Sequence, residues 1–186
     1  MSIRGRLLVL GTLVAVASIA ARAQAPRAGV MGDLLADVDA VERKVVGLAN
    51  AMPEASYAWR PMPGVRSVGE ALTHVAADNY FMPAALGVAA PAATGISGTN
   101  YDTVEAFEKK TRSRTEIIAE LERSFAFLKD AMRGTPDAKL DTTMKLFGQE
   151  ARVGTTWVMT VTHLHEHLGQ LIAYARSNKV VPPWSK

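Results

Sequence analysis

Apolar residues recur along this chain at intervals of three and four. Leu34, Val38, Val41, Val45, Leu48 and Met52 follow one another by 4, 3, 4, 3 and 4 residues, which sets them on one stripe of a helix. Asp37, Glu42, Arg43 and Lys44 fall off that stripe, and Pro53 ends the helix. Ser67-Val68-Gly69-Glu70 is a capping box that opens a second helix, running to about Gly87. Its only charged residues are Glu70 and Asp78, so protein must cover most of its circumference. Pro83 is expected to kink it or end it early. A second capping box, Ser113 to Glu116, starts a third helix with Ile117, Leu121, Phe125, Leu128 and Met132 inward and a stop at Gly134. A fourth runs from Gly154-Thr155 to about Ser177, with Asn178 as a left-handed stop.

The connections are punctuated by turn residues. Arg60-Pro61-Met62-Pro63-Gly64 reads as a rigid loop, and Ala89 to Gly98 as an Ala/Pro/Gly/Thr-rich one. Thr103 to about Lys110 forms a short helix, and the charged run Glu105 to Arg114 reads as a solvated face. Within the long connection Thr135 to Val153, residues Thr143 to Val153 are extended around Gly148. Four helices joined by long connections, with no β/α alternation and no glycine-rich phosphate loop, predict an all-α four-helix bundle. The 4,3 spacing favours crossings near ~20°.

The fourth helix carries two stripes. Trp157, Val161, Leu164, Leu168, Leu171 and Ala175 are apolar, whereas Thr156, Thr160, His163, His167, Gln170 and Tyr174 are polar and uncharged. Between Thr155 and Ala175 the only charged residue is Glu166, so the polar stripe is expected to face an interior cavity and not bulk water. Residues four apart differ by about 40° around a helix, so His163 and His167 share a face, while His165 lies roughly 200° from His163. Two buried imidazoles need partners, and one metal ion satisfies both. His74, on the nearly uncharged second helix, can supply a third ligand. Three neutral imidazoles with an open position suit Zn²⁺, and also Ni²⁺ or Fe²⁺. Asp78, one turn after His74, can orient an imidazole, act as a base or add a fourth ligand. Glu166 is the other candidate base. The competing reading is a set of hydrogen-bonded core histidines. His165-Glu166-His167-Leu168-Gly169 is not an H-E-x-x-H zincin helix. Gln170 sits on the histidine face as a candidate outer partner. Trp59, Thr160 and Tyr174 are candidate pocket residues, and Ser67 is an N-cap and not a nucleophile.

Composition narrows the classes further. The 186 residues include no cysteine, which excludes disulfide scaffolds, thiolate metal sites and cysteine nucleophiles. Arg4 and Arg6 precede an uncharged run from Leu7 to Ala21, followed by Ala21-Arg22-Ala23. That is the layout of a cleavable signal peptide, the run being short for a membrane span; the rival reading is an uncleaved anchor. The expected organisation is a signal at 1–23, a flexible leader at 24–30 and a bundle at 31–186. Cleavage removes three arginines and leaves 18 basic and 18 acidic residues. A balanced charge with 6% aromatic residues argues against nucleic-acid binding. The expected location is periplasmic or secreted, with no stable membrane anchor after cleavage.

Two segments resemble the DinB/YfiT-like metal-binding bundles. The first is Trp59 to Ser67 followed by Gly69 to Ala76, in which a P-G-V-R-S run leads to His74. The second is His163 to Leu171, an H-x-x-x-H-x-G-Q element, closing with Tyr174 to Pro183. The likeness spans about Asp33 to Pro183. It implies an up-down-down-up bundle with one metal held by His74, His163 and His167, and a non-ligand role for His165. Relatives include thiol transferases, a thiol-dependent isomerase and proteins proposed as metal-dependent hydrolases. The resemblance implies a metal-dependent enzyme of hydrolase or thiol-transferase type, acting on a small molecule; the export signal, Pro83 within the second helix and the long loop before Tyr101 depart from the family pattern. The alternative is a non-catalytic bundle that binds a metal or small ligand. The apolar content permits a homodimer through a bundle face.

Overall fold

The computed structural model describes residues 28–185. The signal read at 1–23, and the leader up to residue 27, lie outside the described residues. Among the described residues the fold has five α-helices and one hairpin: α1 Val30–Ala51, α2 Val68–Ala85, α3 Asp102–Glu108, α4 Arg114–Arg133, β1 Thr143–Leu146, β2 Gln149–Arg152 and α5 Val153–Ser177. Three short 3₁₀ turns punctuate the connections. Among the described residues no helix is long and apolar enough to cross a membrane.

α1 starts at Val30, inside the stretch read as leader. The Asp137 carboxylate accepts from the Val30 and Met31 N–H groups at 2.9 and 3.1 Å and caps this end from across the bundle. Gly29 precedes it at φ 96°, and a Cβ there would sit 2.0 Å from that carboxylate. Both capping boxes form as read: the Ser67 hydroxyl accepts from Glu70 N–H and the Ser113 hydroxyl from Glu116 N–H, with each glutamate returning a bond. Every residue of α2 from Val68 to Pro83 is buried except Glu70, as its missing charges require.

One helix end follows the expected proline, and two expectations about α5 need correcting. Pro83 stands in the last turn of α2, and the helix closes two residues later at Ala85, short of the expected Gly87. α5 begins at Val153, directly off β2, one residue before Gly154. Its stop at Asn178 is not left-handed; Asn178 has φ −89° and the left-handed residue is Lys179, at φ 60°.

Cross-helix contacts fix the directions. Arg114, at the start of α4, donates to the carbonyls of Asn50 and Met52 at the end of α1, and Lys129 further along α4 pairs with Asp39 and Glu42. These two helices are antiparallel. α2 and α4 are parallel: Gly69 lies against Ile117, and Tyr80 donates to Glu120. α1 and α5 are parallel too, with His165 on Asp37 and Trp184 under Lys44. α2 and α5 are antiparallel, because Arg66 meets Tyr174 while Asp78 meets His163. The four long helices therefore run up, down, down, up. Their seams close on a core in which Val38, Val45, Leu72, Leu121, Phe125, Leu128 and Trp157 are fully buried.

Candidate metal centre

The antiparallel α2/α5 pair brings two i,i+4 pairs face to face. His74 and Asp78 on α2 meet His163 and His167 on α5. One ligand atom from each of the four lies within 4.8 Å of every other. His163 Nε2 is 2.8 Å from Asp78 Oδ2 and 2.9 Å from His167 Nε2, and His74 Nε2 is 3.2 Å from the same Asp78 oxygen. The imidazole rings stand edge to face, with centroids 4.3 to 5.6 Å apart. His74, Asp78 and His167 are buried and His163 is half-buried.

The outer nitrogens face away from this point. His74 Nδ1 lies 2.6 Å from Glu108 Oε1, His167 Nδ1 3.2 Å from Gln170 Oε1, and His163 Nδ1 3.7 Å from Glu166 Oε2. An imidazole whose outer nitrogen bonds a carboxylate or amide oxygen keeps its proton there and turns a lone pair inward. The electrostatics follow from the same contacts. Burial and the neighbouring His74 and His163 push the His167 imidazole down to about 4. The hydrogen bond to Asp78 raises His163 against the opposing effect of burial. Burial favours the neutral Glu108 carboxyl, but the bond and charge of His74, then Arg66, hold it below the usual range. Three inward-facing imidazole nitrogens and one carboxylate oxygen, with outer acceptors bonded to His74 and His167, form a donor set that fits a divalent transition metal.

The other sequence candidates divide. Thr160 is buried beside the cluster, with its hydroxyl donating to the Thr156 carbonyl. Tyr174 donates to the Arg66 carbonyl at 3.2 Å and packs edge-on against Trp59 at 5.4 Å, one turn beyond Gln170. Gln170 is exposed, so its stripe turns outward there, yet its amide oxygen still reaches His167. Glu166 stays at the rim with a 67% exposed side chain, and Asp78 is the carboxylate at the centre. His165 points to the surface and pairs with Asp37 at 2.9 Å.

The residue that sequence reasoning missed is Glu108, assigned to a solvated run. Val104, Phe107 and Glu108 share one face of α3 by their spacing, and the first two are buried, so Glu108 turns inward with them. Arg66 clamps its other oxygen at 3.1 Å.

Beside His163 and Asp78 lies a cavity of about 180 Å³, walled mainly by Phe81, Met82, Tyr101, Phe147, Met159 and Leu164.

A family model described as the DinB superfamily matches residues 37–171. No curated protein matches the sequence. Among solved structures, the chain is similar to YfiT from Bacillus subtilis, described as a probable metal-dependent hydrolase with an unusual four-helix bundle topology. That match has a TM-score of 0.65 at 14% identity, covering 84% of this chain and 94% of that one. A DinB-like protein from Bacillus cereus matches with a TM-score of 0.63 at 16% identity, covering 83% and 95%. A mycothiol-dependent maleylpyruvate isomerase matches with a TM-score of 0.60 at 13% identity, over 77% of this chain and 61% of that one.

Proposed function

The chain belongs to the DinB superfamily, and on that premise we propose that it is a metal-dependent enzyme acting on a small molecule, with His74, His163 and His167 holding the metal. The observation that carries this reading is the convergence of three imidazole Nε2 atoms and Asp78 Oδ2, each imidazole facing a side-chain oxygen on its outer side. Zn²⁺ is the first choice for such a donor set, with Ni²⁺ and Fe²⁺ as alternatives. Bound there, the ion supplies Lewis acidity, which activates water for hydrolysis or a thiol for transfer.

The chain's own residues do the rest. Glu108 and Gln170 orient the His74 and His167 rings. Asp78 lies within hydrogen-bond reach of two of the imidazoles and is placed to take a proton from a group brought to the centre. The buried α2 face and the apolar cavity wall keep bulk water away from one side. Hydrolysis is favoured over thiol transfer because the reading includes export through residues 1–23, and low-molecular-weight thiols are concentrated in the cytoplasm.

Metal content tests the proposal directly. Inductively coupled plasma mass spectrometry on chain purified without chelator is expected to find a stoichiometric transition metal, lost in both His74→Ala and His163→Ala. Wild type that stays empty after reconstitution with Zn²⁺, Ni²⁺ and Fe²⁺ near neutral pH would remove the basis for the reading. With metal in place, turnover on ester, amide and thiol-transfer panels separates an enzyme from a binding bundle.

A further inference from the structure

The cavity beside Asp78 and His163 opens to solvent, and its mouth is apolar. Phe147 at the hairpin tip is 61% exposed, and Tyr101 and Met159 at the same opening are exposed too, while Phe81, Met82 and Leu164 form a buried floor. Single exposed apolar side chains are ordinary on a protein surface, but several gathered at one opening mark a binding surface. Phe81 and Phe147 stack at 5.7 Å and 20°, and Tyr101 stands edge-on to both, at 5.3 and 6.0 Å.

Phe147 is held there against the preference of its own backbone. It has φ 50°, a left-handed conformation that a bulky residue rarely adopts. The two-residue turn Phe147-Gly148 has positive φ at both positions, and such turns favour asparagine where Phe147 stands. Contact with Phe81 and Tyr101 offsets part of that cost, yet most of the Phe147 surface stays in solvent, so packing alone is a poor reason for a ring at this position.

The charges at the opening narrow what fits. Asp78 and His163 line it and bond each other at 2.8 Å, and no lysine or arginine is among the lining residues. An anionic group entering here would meet the Asp78 carboxylate and no basic side chain except the already paired His163. An uncharged apolar group loses nothing by leaving water for this wall.

We propose that Phe147 is a specificity-determining residue, the outer wall of a subsite that takes an uncharged apolar substituent of the substrate beside the metal centre. This rests on the metal-enzyme reading only for calling the occupant part of a substrate. Phe147 touches the substituent, and the reacting group lies toward Asp78 and His163.

Methyl-¹³C methionine NMR with 4-fluorotoluene tests it, because Met82 and Met159 line the cavity whereas Met31 and Met52 are buried outside its lining. Chelator is present throughout, so that no probe meets a metal. 4-Fluorotoluene is expected to shift the Met82 and Met159 methyls and leave Met31 and Met52 in place. 4-Fluorobenzoate, the same ring with a charge, should bind more weakly by about threefold or more. Phe147→Asn supplies the residue that the turn favours and is expected to fold; it should weaken 4-fluorotoluene by about threefold to tenfold, the range that one aromatic pair supplies. Phe147→Tyr keeps the ring and should stay within about twofold of wild type. Silent Met82 and Met159 methyls, equal binding of the two probes, or wild-type affinity in Phe147→Asn would each overturn the inference. So would Met82 and Met159 shifts that grow with protein concentration in the absence of probe, which would put a second copy of the chain over the opening. Probe response in a chain that takes up no metal in any form would sink the metal reading alone. Metal uptake with no probe response would sink only this inference.

Discussion

The Glu108 carboxylate does more for the site than its place in a charged run suggests. One oxygen holds His74 Nδ1 at 2.6 Å, and Arg66 fixes the carboxylate from the solvent side. Glu108→Ala is expected to weaken Zn²⁺ binding about 10- to 100-fold, the usual loss when the outer partner of a metal-binding imidazole is removed. Competition against a chromophoric chelator reads this, and wild-type affinity in the variant would reduce Glu108 to an ion-pair partner of Arg66. The histidine pair on α5 was legible because four residues along a helix fix an angle whatever the tertiary structure. The choice among three roles for Asp78 was not, since it depends on where α5 lies. Glu108 was hidden for a related reason: it is remote from His74 in sequence, and only the burial of Val104 and Phe107 turns it inward.

Helices were legible through their starts more than their ends. Each serine-glutamate box is a local motif whose hydrogen bonds close within one turn, so Ser67 and Ser113 mark helix starts without outside help. The end of α5 depends on where the chain goes next, and there Asn178 misled. The box at α2 also makes its stability pH-dependent. The backbone bond from Ser67, then Arg60, holds the Glu70 carboxyl below its ordinary 4.5, against a smaller effect of burial. A depressed carboxylate contributes stability above the unfolded value and loses it as pH falls through the folded one. Glu70→Gln should therefore unfold earlier than wild type at pH 7, by a few tenths to about 1 kcal/mol given the half-exposed side chain. The gap should close as pH falls below 4.5. A gap of constant size in melts from pH 7 to pH 3 would contradict this.

The up-down-down-up order came from the family resemblance, and periodicity alone left it open, because a stripe says which side is buried and not which neighbour buries it. The two parallel pairs explain the long connections. To run α4 alongside α2 in the same direction, the chain must return along the bundle, and residues 86–113 make that return. The return carries α3, and with it Tyr101 and Glu108, to the histidine cluster. Gly98 lets it pass closely, since a Cβ there would lie 2.1 Å from the Ala84 carbonyl carbon and 2.3 Å from the Ala85 nitrogen. Backbone cannot yield as a side-chain tip does, so Gly98→Ala is expected to cost about 1–3 kcal/mol. Chemical denaturation should show the lowered midpoint, and an unchanged midpoint would mean the loop shifts freely off α2.

The parallel pairing of α1 with α5 has a mechanical consequence. The first and last long helices lie side by side and point the same way, so the two ends of the folded body emerge at opposite poles. Tension applied between those ends drags one helix lengthwise past the other. The contacts between them, His165 on Asp37 among them, then bear the load together, whereas those of an unzipping hairpin give way in succession.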